Sequence, residues 1–295
     1  AHEIGPKDEV IIPSHSFVAT ATPIMHLNAK PVFVDIDINT YNIDPTKIQD
    51  KITSKTRAIM PVHLYGHMAN MDPIMDLAED HDLIIIEDAC QAHGGEYKNK
   101  KAGSIGHISS FSFYPSKNMT VGGDGGIITT DNEEIALRIR ALRNHGRKEK
   151  YLHDSLGYNF RFNEIQAAIG LRQLELLPKW IKSRRSIASL YNSNISKSFC
   201  KPIEQVWAKH VYYMYVIRVK NRSLLQQYLT ENGISTGIHF PVAIHKQPVI
   251  EHFYGIQEKL KSTEIAESEV LSLPMFPTLT QNEIKYICNT LNDYP

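Results

Sequence analysis

The alternation of short apolar runs with stretches of helical periodicity constrains this chain most. Glu9 to Pro13, Pro31 to Ile36, Arg57 to Val62 and Leu83 to Glu87 have the length and apolar content of strands. Between them, Ser16 to Asn28, Pro45 to Ile52 and Asp72 to His81 read as helices, the first with Ser14 or Ser16 as its cap. Strand, helix and strand repeated at this spacing form βαβ units, so the pattern predicts an α/β fold on a mostly parallel central sheet flanked by helices. Such sheets offer ligands the carboxyl ends of their strands. His63, Asp88 and the stretch from Ser112 to Lys117 all fall at strand ends of this kind.

Further along, a turn at Lys98-Asn99-Lys100 precedes a strand over Ile108 to Tyr114, and the run Gly122-Gly123-Asp124-Gly125-Gly126 leads into another over Ile127 to Thr130. Helices over Glu133 to Arg143 and Asn163 to Leu176 complete a large unit, and Pro178 marks its boundary. The expected division is therefore 1–177 for the large unit and 178–295 for a smaller α+β unit. The second contains a helix over Trp180 to Ile195, a strand over His210 to Val219, a helix over Ser223 to Asn232, and closing helices around Glu264 to Leu271 and Gln281 to Leu291.

Two residues at strand ends carry chemistry. Lys117 follows the alternating strand on a turn closed by Pro115, and Asp88 ends the run Ile84-Ile85-Ile86-Glu87. A lysine amine attacks carbonyls only when deprotonated, which burial or a nearby positive charge favours. A carboxylate stabilises a protonated pyridine ring by opposite charge. Together they are the Schiff-base amine and the pyridinium partner that a pyridoxal phosphate enzyme needs.

The balance of charge excludes other classes. Lys and Arg number 32 against 32 Asp and Glu, so no bulk field draws nucleic acid or an anionic membrane. Cys90, Cys200 and Cys288 lack metal-ligand spacing and read as reduced thiols, and the apolar runs are too short to span a bilayer. A cytoplasmic protein is expected. His63 and His67 stand four apart, but Gly66 lies between them and no HExxH motif appears, so no metal site is expected.

The strings EDACQAHG (87–94), SFSFYPSKN (110–118), GGDGG (122–126) and GYNFRFNEIQAA (157–168), in this order, resemble the pyridoxal phosphate-dependent nucleotide-sugar aminotransferases of the DegT/DnrJ/StrS type. The resemblance runs nearly end to end. It implies a fold-type I transferase, like aspartate aminotransferase, that moves an amino group from an amino-acid donor, glutamate in most of the family, to a nucleotide-diphosphate keto sugar. By the same resemblance Lys117 holds the cofactor, Asp88 faces its ring nitrogen, Gln91 bonds its phenolic oxygen, Phe17 stacks on its ring and Ser112 bonds its phosphate. Asn159 and Arg161 match a stretch that crosses the interface of a homodimer, where the asparagine reaches the partner's phosphate and the active sites are composite. GIHFPVAIHKQP (237–248) resembles a segment of the branch that aminates keto sugars, making His239 and His245 substrate-side candidates, although Phe240 stands for the usual tyrosine and Ala243 for a usual proline.

Two alternatives accompany this reading. Sugar dehydratases of the family carry histidine where Lys117 stands, and a non-catalytic or regulatory member would share the fold without the chemistry. Family members also open with a glycine-threonine turn at a helix start that holds phosphate. Nothing here matches that turn, and Ala1 to Gly5 resemble the end of the same helix, so an N-terminally truncated large unit is expected.

Overall fold

A computed structural model describes residues 1–295. The chain runs through β1 (Glu9–Pro13), α1 (Thr22–His26), β2 (Lys30–Val34), β3 (Thr56–Ile59), α2 (Met71–Asp80), β4 (Ile84–Asp88), β5 (Glu96–Tyr97), β6 (Lys100–Lys101), β7 (Ile108–Ser112), β8 (Gly126–Thr129) and α3 (Glu133–Leu142). It continues with β9 (Arg147–Glu149), β10 (Leu152–His153), α4 (Glu164–Asn194), β11 (Ala208–Lys209), β12 (Tyr215–Arg218), α5 (Arg222–Glu231), α6 (Pro248–Tyr254), α7 (Lys261–Glu269), β13 (Val270–Leu273) and α8 (Gln281–Asn292).

Six strands form the central sheet in the order β2-β1-β3-β4-β7-β8. All neighbours pair in parallel except β7 and β8, so the expected mostly parallel α/β architecture is present. Alternation along each strand feeds two separate cores. Ile11, Ile59 and Ile85 pack on one face with Met71 and Ile74 of α2, whereas Val10, Ile12 and Ala58 pack on the other with Ile24 of α1. Burial on both faces is what a parallel sheet requires, and it explains the nearly continuous apolar runs.

Helix α4 runs from one hydrophobic cluster into another. Its middle places Leu177 and Ile181 against Phe113 and Val211, and its end places Ile187, Ala188 and Tyr191 against Tyr215, Ile217 and Ile287. Arg184, buried on the same helix, donates from Nη1 to the carbonyls of Tyr212, Tyr213 and Met275 at 3.2, 3.1 and 2.9 Å. It thereby pins α4 to the segments flanking β12 and β13. Between α4 and the β7–β8 end of the sheet lies an apolar groove of about 1040 Å³, lined by Phe111, Phe113, Ile127, Leu171, Leu174 and the buried His93.

Several elements differ from their sequence patterns. The helix expected over Ser16 to Asn28 is a single 3-10 turn at Val18–Thr20 followed by the five-residue α1, which carries Pro23 in its first turn. Neither Ser14 nor Ser16 caps it, because their hydroxyls are taken by His245 and Thr20. The pattern Pro45 to Ile52 forms two 3-10 turns rather than a helix, being too short to repay nucleation. The helices expected on either side of Pro178 are one 31-residue helix. Proline removes a hydrogen bond there, but Leu177 and Ile181 bury one face on both sides of it and hold the helix together. Residues 1–5 are irregular rather than helical, and Gly5 donates its amide to Asp8 Oδ2 at 2.9 Å. β13 and α6 have no counterpart in the expected elements.

Candidate active site

The carboxyl ends of β4 and β7 are adjacent because Asp88 pairs with Ser110 in the ladder. Strand alternation sends Glu87 and Asp88 to opposite faces. Glu87 is fully buried and accepts from the amides of Gly103, Ile105 and Gly106 and lies 2.9 Å from His63 Nε2. Burial pushes its carboxyl up, but the His63 hydrogen bond and charge, with the amides of Gly106 and Gly103, hold it down at about 2. Glu87 is a structural anchor. Asp88 is half-buried and faces the open side.

Asp88 Oδ2 accepts from Thr20 Oγ1 at 3.1 Å, and Oδ1 accepts from the amide of Cys90 at 3.2 Å. Since Thr20 donates to the carboxylate, Ser16, 2.9 Å from Thr20 Oγ1, is the donor in the next bond of the chain. The 3-10 turn after β1 thus orients the carboxylate. Burial, followed by the charge of Asp88, pushes the Cys90 thiol up, which keeps it protonated.

Lys117 sits on the turn that follows β7, its amide donating to the Tyr114 carbonyl at 2.9 Å. Its side chain is half-buried, with Nζ 4.9 Å from the ring centroid of Tyr213. Three groups feel its positive charge: Cys90, His93 and His239. Cys90 therefore lies within the fields of both Asp88 and Lys117.

The other expected site residues fall into two sets. Gln91 is buried, and its Oε1 accepts from the Tyr65 amide at 2.7 Å, leaving the amide NH2 group free to donate. Phe17 presents an exposed ring 5.9 Å from that of Phe240. Ser112 Oγ accepts from the Tyr114 amide at 3.2 Å. His239 Nδ1 lies 3.0 Å from Ser272 Oγ, and burial, then the charge of Lys117, lowers its pKa. His245 is buried with Nδ1 2.5 Å from Ser14 Oγ, at the end of β1. Asn159 and Arg161 are exposed and bonded to one another, Arg161 Nε donating to Asn159 Oδ1 at 2.8 Å, and neither bonds any of the residues above.

His63 and His67 spend all four ring nitrogens on protein partners. His63 uses Glu87 and the Ala69 amide, and His67 uses the Met68 carbonyl and the Gln205 amide. Sequence reasoning missed Thr20, Tyr65 and Tyr213, each of which touches a site residue. Only Thr20 left a trace, four residues after Ser16, and that spacing is common to any helical turn.

Known proteins resemble this chain over nearly its whole length. The DegT/DnrJ/EryC1/StrS aminotransferase family matches residues 1–292. The chain is 43% identical over 295 residues to dTDP-3-amino-3,6-dideoxy-alpha-D-galactopyranose transaminase of Aneurinibacillus thermoaerophilus, covering 100% of this chain and 81% of that protein. It is 42% identical to a protein of Geobacillus stearothermophilus named as a pleiotropic regulatory protein, over 99% of this chain and 79% of the relative. The crystal structure of S. venezuelae DesV superposes with a TM-score of 0.95 at 36% identity, covering 98% of this chain and 79% of that one.

Proposed function

This chain belongs to the DegT/DnrJ/EryC1/StrS aminotransferase family, and on that premise we propose that Lys117 is its catalytic amine, within a site built from Asp88, Gln91, Ser112, Phe17 and Asn159. The protein is a pyridoxal phosphate-dependent aminotransferase of nucleotide-linked keto sugars. The observation that supports the site assignment is that Asp88 ends β4 and Lys117 lies on the turn after the neighbouring β7, with Cys90 under the charge of both.

The residues present fit the cofactor. Asp88 keeps unused lone pairs, Gln91 has a free NH2 group, and Phe17 has an open aromatic face. Beside Lys117, the buried amide of Asn118 has neither Oδ1 nor Nδ2 partnered, a polar group left for something else to satisfy. When bound, pyridoxal phosphate supplies the electron sink that lets a proton leave the carbon bearing the amine. Asp88 holds positive charge at the ring nitrogen, Gln91 bonds the phenolic oxygen, Phe17 covers the ring, and Ser112 bonds the phosphate. Lys117 Nζ serves first as nucleophile and then as the base and acid that carries a proton. Arg161, His239 and His245 contact substrate in this reading, and L-glutamate is the amino donor.

The functional unit is proposed to be a homodimer with composite sites, Asn159 reaching the partner's cofactor phosphate. Supporting this, Asn159 lies in an exposed stretch with Leu156, Tyr158 and Phe160, and the neighbouring face of α4 exposes Ile165, Leu171 and Leu174 beside the apolar groove. Residues 1–177 and 178–295 act as large and small units joined through α4. The test is a panel of nucleotide keto sugars incubated with protein, pyridoxal phosphate and glutamate. Formation of an amino sugar and 2-oxoglutarate is expected with at least one. A protein that binds cofactor yet transfers nitrogen to none would favour the regulatory reading that one relative's name raises.

A further inference from the structure

Tyr65 occupies an unusual place. It is buried in the turn after β3 with φ 57° and ψ 4°, a left-handed backbone that an aromatic side chain disfavours and that its surroundings must impose. The next residue, Gly66, has φ 95°, and a Cβ there would stand 2.6 Å from Val211 Cγ2, so the turn is pressed against the segment between β11 and β12.

Four bonds hold Tyr65, and they point in two directions. On the cofactor side its amide donates to Gln91 Oε1 at 2.7 Å. On the small-unit side its carbonyl accepts from the Met214 amide at 3.3 Å, and its hydroxyl donates to the carbonyl of His239. With that proton committed, the fourth bond, 2.9 Å to His15 Nε2, must be donated by the histidine. His15 is therefore the Nε2–H tautomer, with a buried, unpartnered Nδ1.

We propose that Tyr65 is a positioning residue for the sugar half of the reaction: through its hydroxyl, itself oriented by His15, it fixes the His239–Phe240 segment over the site. The proposal rests on the reading of His239 as substrate-side. His239 and Phe240 reach the site from the small unit, with Ser272 on the His239 ring and Phe17 against Phe240. The link from Tyr65 to Gln91 runs through the backbone amide. Removing the hydroxyl therefore releases the His239 carbonyl and leaves the cofactor side untouched.

That asymmetry defines the experiment. The two half-reactions of the wild type, Tyr65→Phe and His15→Phe are followed separately by cofactor absorbance. For Tyr65→Phe the KM for the keto sugar should rise about tenfold, the loss of one net hydrogen bond. The glutamate half-reaction and the cofactor spectrum should stay within twofold of wild type. His15→Phe should raise the same KM by about threefold, and His15→Gln, which can still donate, should restore it. An unchanged KM, or a parallel fall in both half-reactions, overturns the proposal. A wild type inactive with every sugar instead overturns the reading of function. Histidine-ring NMR of the protein without cofactor gives a readout independent of turnover. A His15 Nε2 proton protected from exchange in the wild type and unprotected in Tyr65→Phe supports the link. A His15 in the Nδ1–H form overturns it, and carries the test if Tyr65→Phe does not fold.

Discussion

Lys117 and Tyr213 meet face to face, the ammonium 4.9 Å from the ring centroid, while the Tyr213 hydroxyl lies 2.9 Å from Ser116 Oγ. The lysine turn thus leans on a residue 97 positions after Ser116, just ahead of β12. Replacing Tyr213 by Ala should lower kcat by roughly tenfold, since the ring beside Lys117 and the hydroxyl bonded to Ser116 that position the lysine turn are lost together. Tyr213→Phe keeps the ring and should lose less than threefold. Steady-state rates for the two variants decide it, and equal losses would locate the effect in the hydroxyl.

Lys117→Ala should abolish transamination and remove covalent attachment of the cofactor. Borohydride reduction of the loaded wild type followed by peptide mapping should label Lys117. Lys98 and Lys101 are exposed and paired with Asp72 and Glu96, well occupied away from Asp88. A label on any other lysine would displace the site.

Acid should destabilise the fold before the carboxylates titrate. Burial holds His15, His67 and His93 at about 4, against 6.5 when unfolded. The unfolded chain therefore binds protons first, so stability is full above pH 6.5 and is lost as pH falls from 6.5 towards 4. Each histidine contributes on the order of 3 kcal/mol across that window. Glu87, held at about 2 rather than 4.5, adds a loss only below pH 4.5. Urea midpoints at pH 7.5, 6 and 5 should fall steadily; a flat profile down to pH 5 would contradict the burial of these rings.

Arg184→Leu should cost roughly 2–4 kcal/mol. The substitution strands the carbonyls of Tyr212, Tyr213 and Met275, while removing a guanidinium that burial, opposed in part by Tyr213, depresses to about 10. Chemical denaturation measures the loss, and because two of the carbonyls flank the Lys117 wall, kcat should fall with it.

Light scattering at micromolar concentration should report a dimer, and Phe160→Asp combined with Leu171→Asp should shift it towards monomer. Both side chains are largely exposed in the single chain, at 70% and 67%. A dimer indifferent to both charges would move the interface elsewhere.

How much of this was legible depended on the range of the interaction involved. Local alternation located β1, β4 and β7 to within a few residues, and Lys98-Asn99, both in left-handed backbone, make the expected tight turn between β5 and β6. Asp88 and Lys117 were visible because strand ends are predictable from apolar runs. The helix over Ser16 to Asn28 misled because the hydroxyls that could cap it are claimed by Thr20 and by His245, the latter 231 positions away. Tyr65 and Tyr213 were invisible for the same reason: their roles reside in contacts with residues far along the chain, Tyr65 with Met214 and His239, Tyr213 with Ser116 and Lys117.

The unbroken path of α4 through Pro178 has a mechanical meaning. A linker lets two bodies drift and be separated by a protease, but a shared helix transmits torque, so a tilt of the small unit must carry the wall behind Lys117 with it. Cutting the gene at residue 177 would sever that shaft, leaving Leu177 without the helical turn that Ile181 completes and depriving Ile181 of its packing on Phe113 in the other half. The proposed units 1–177 and 178–295 are thus coupled as parts of one lever, and neither is expected to be recovered folded by limited digestion within residues 164–194.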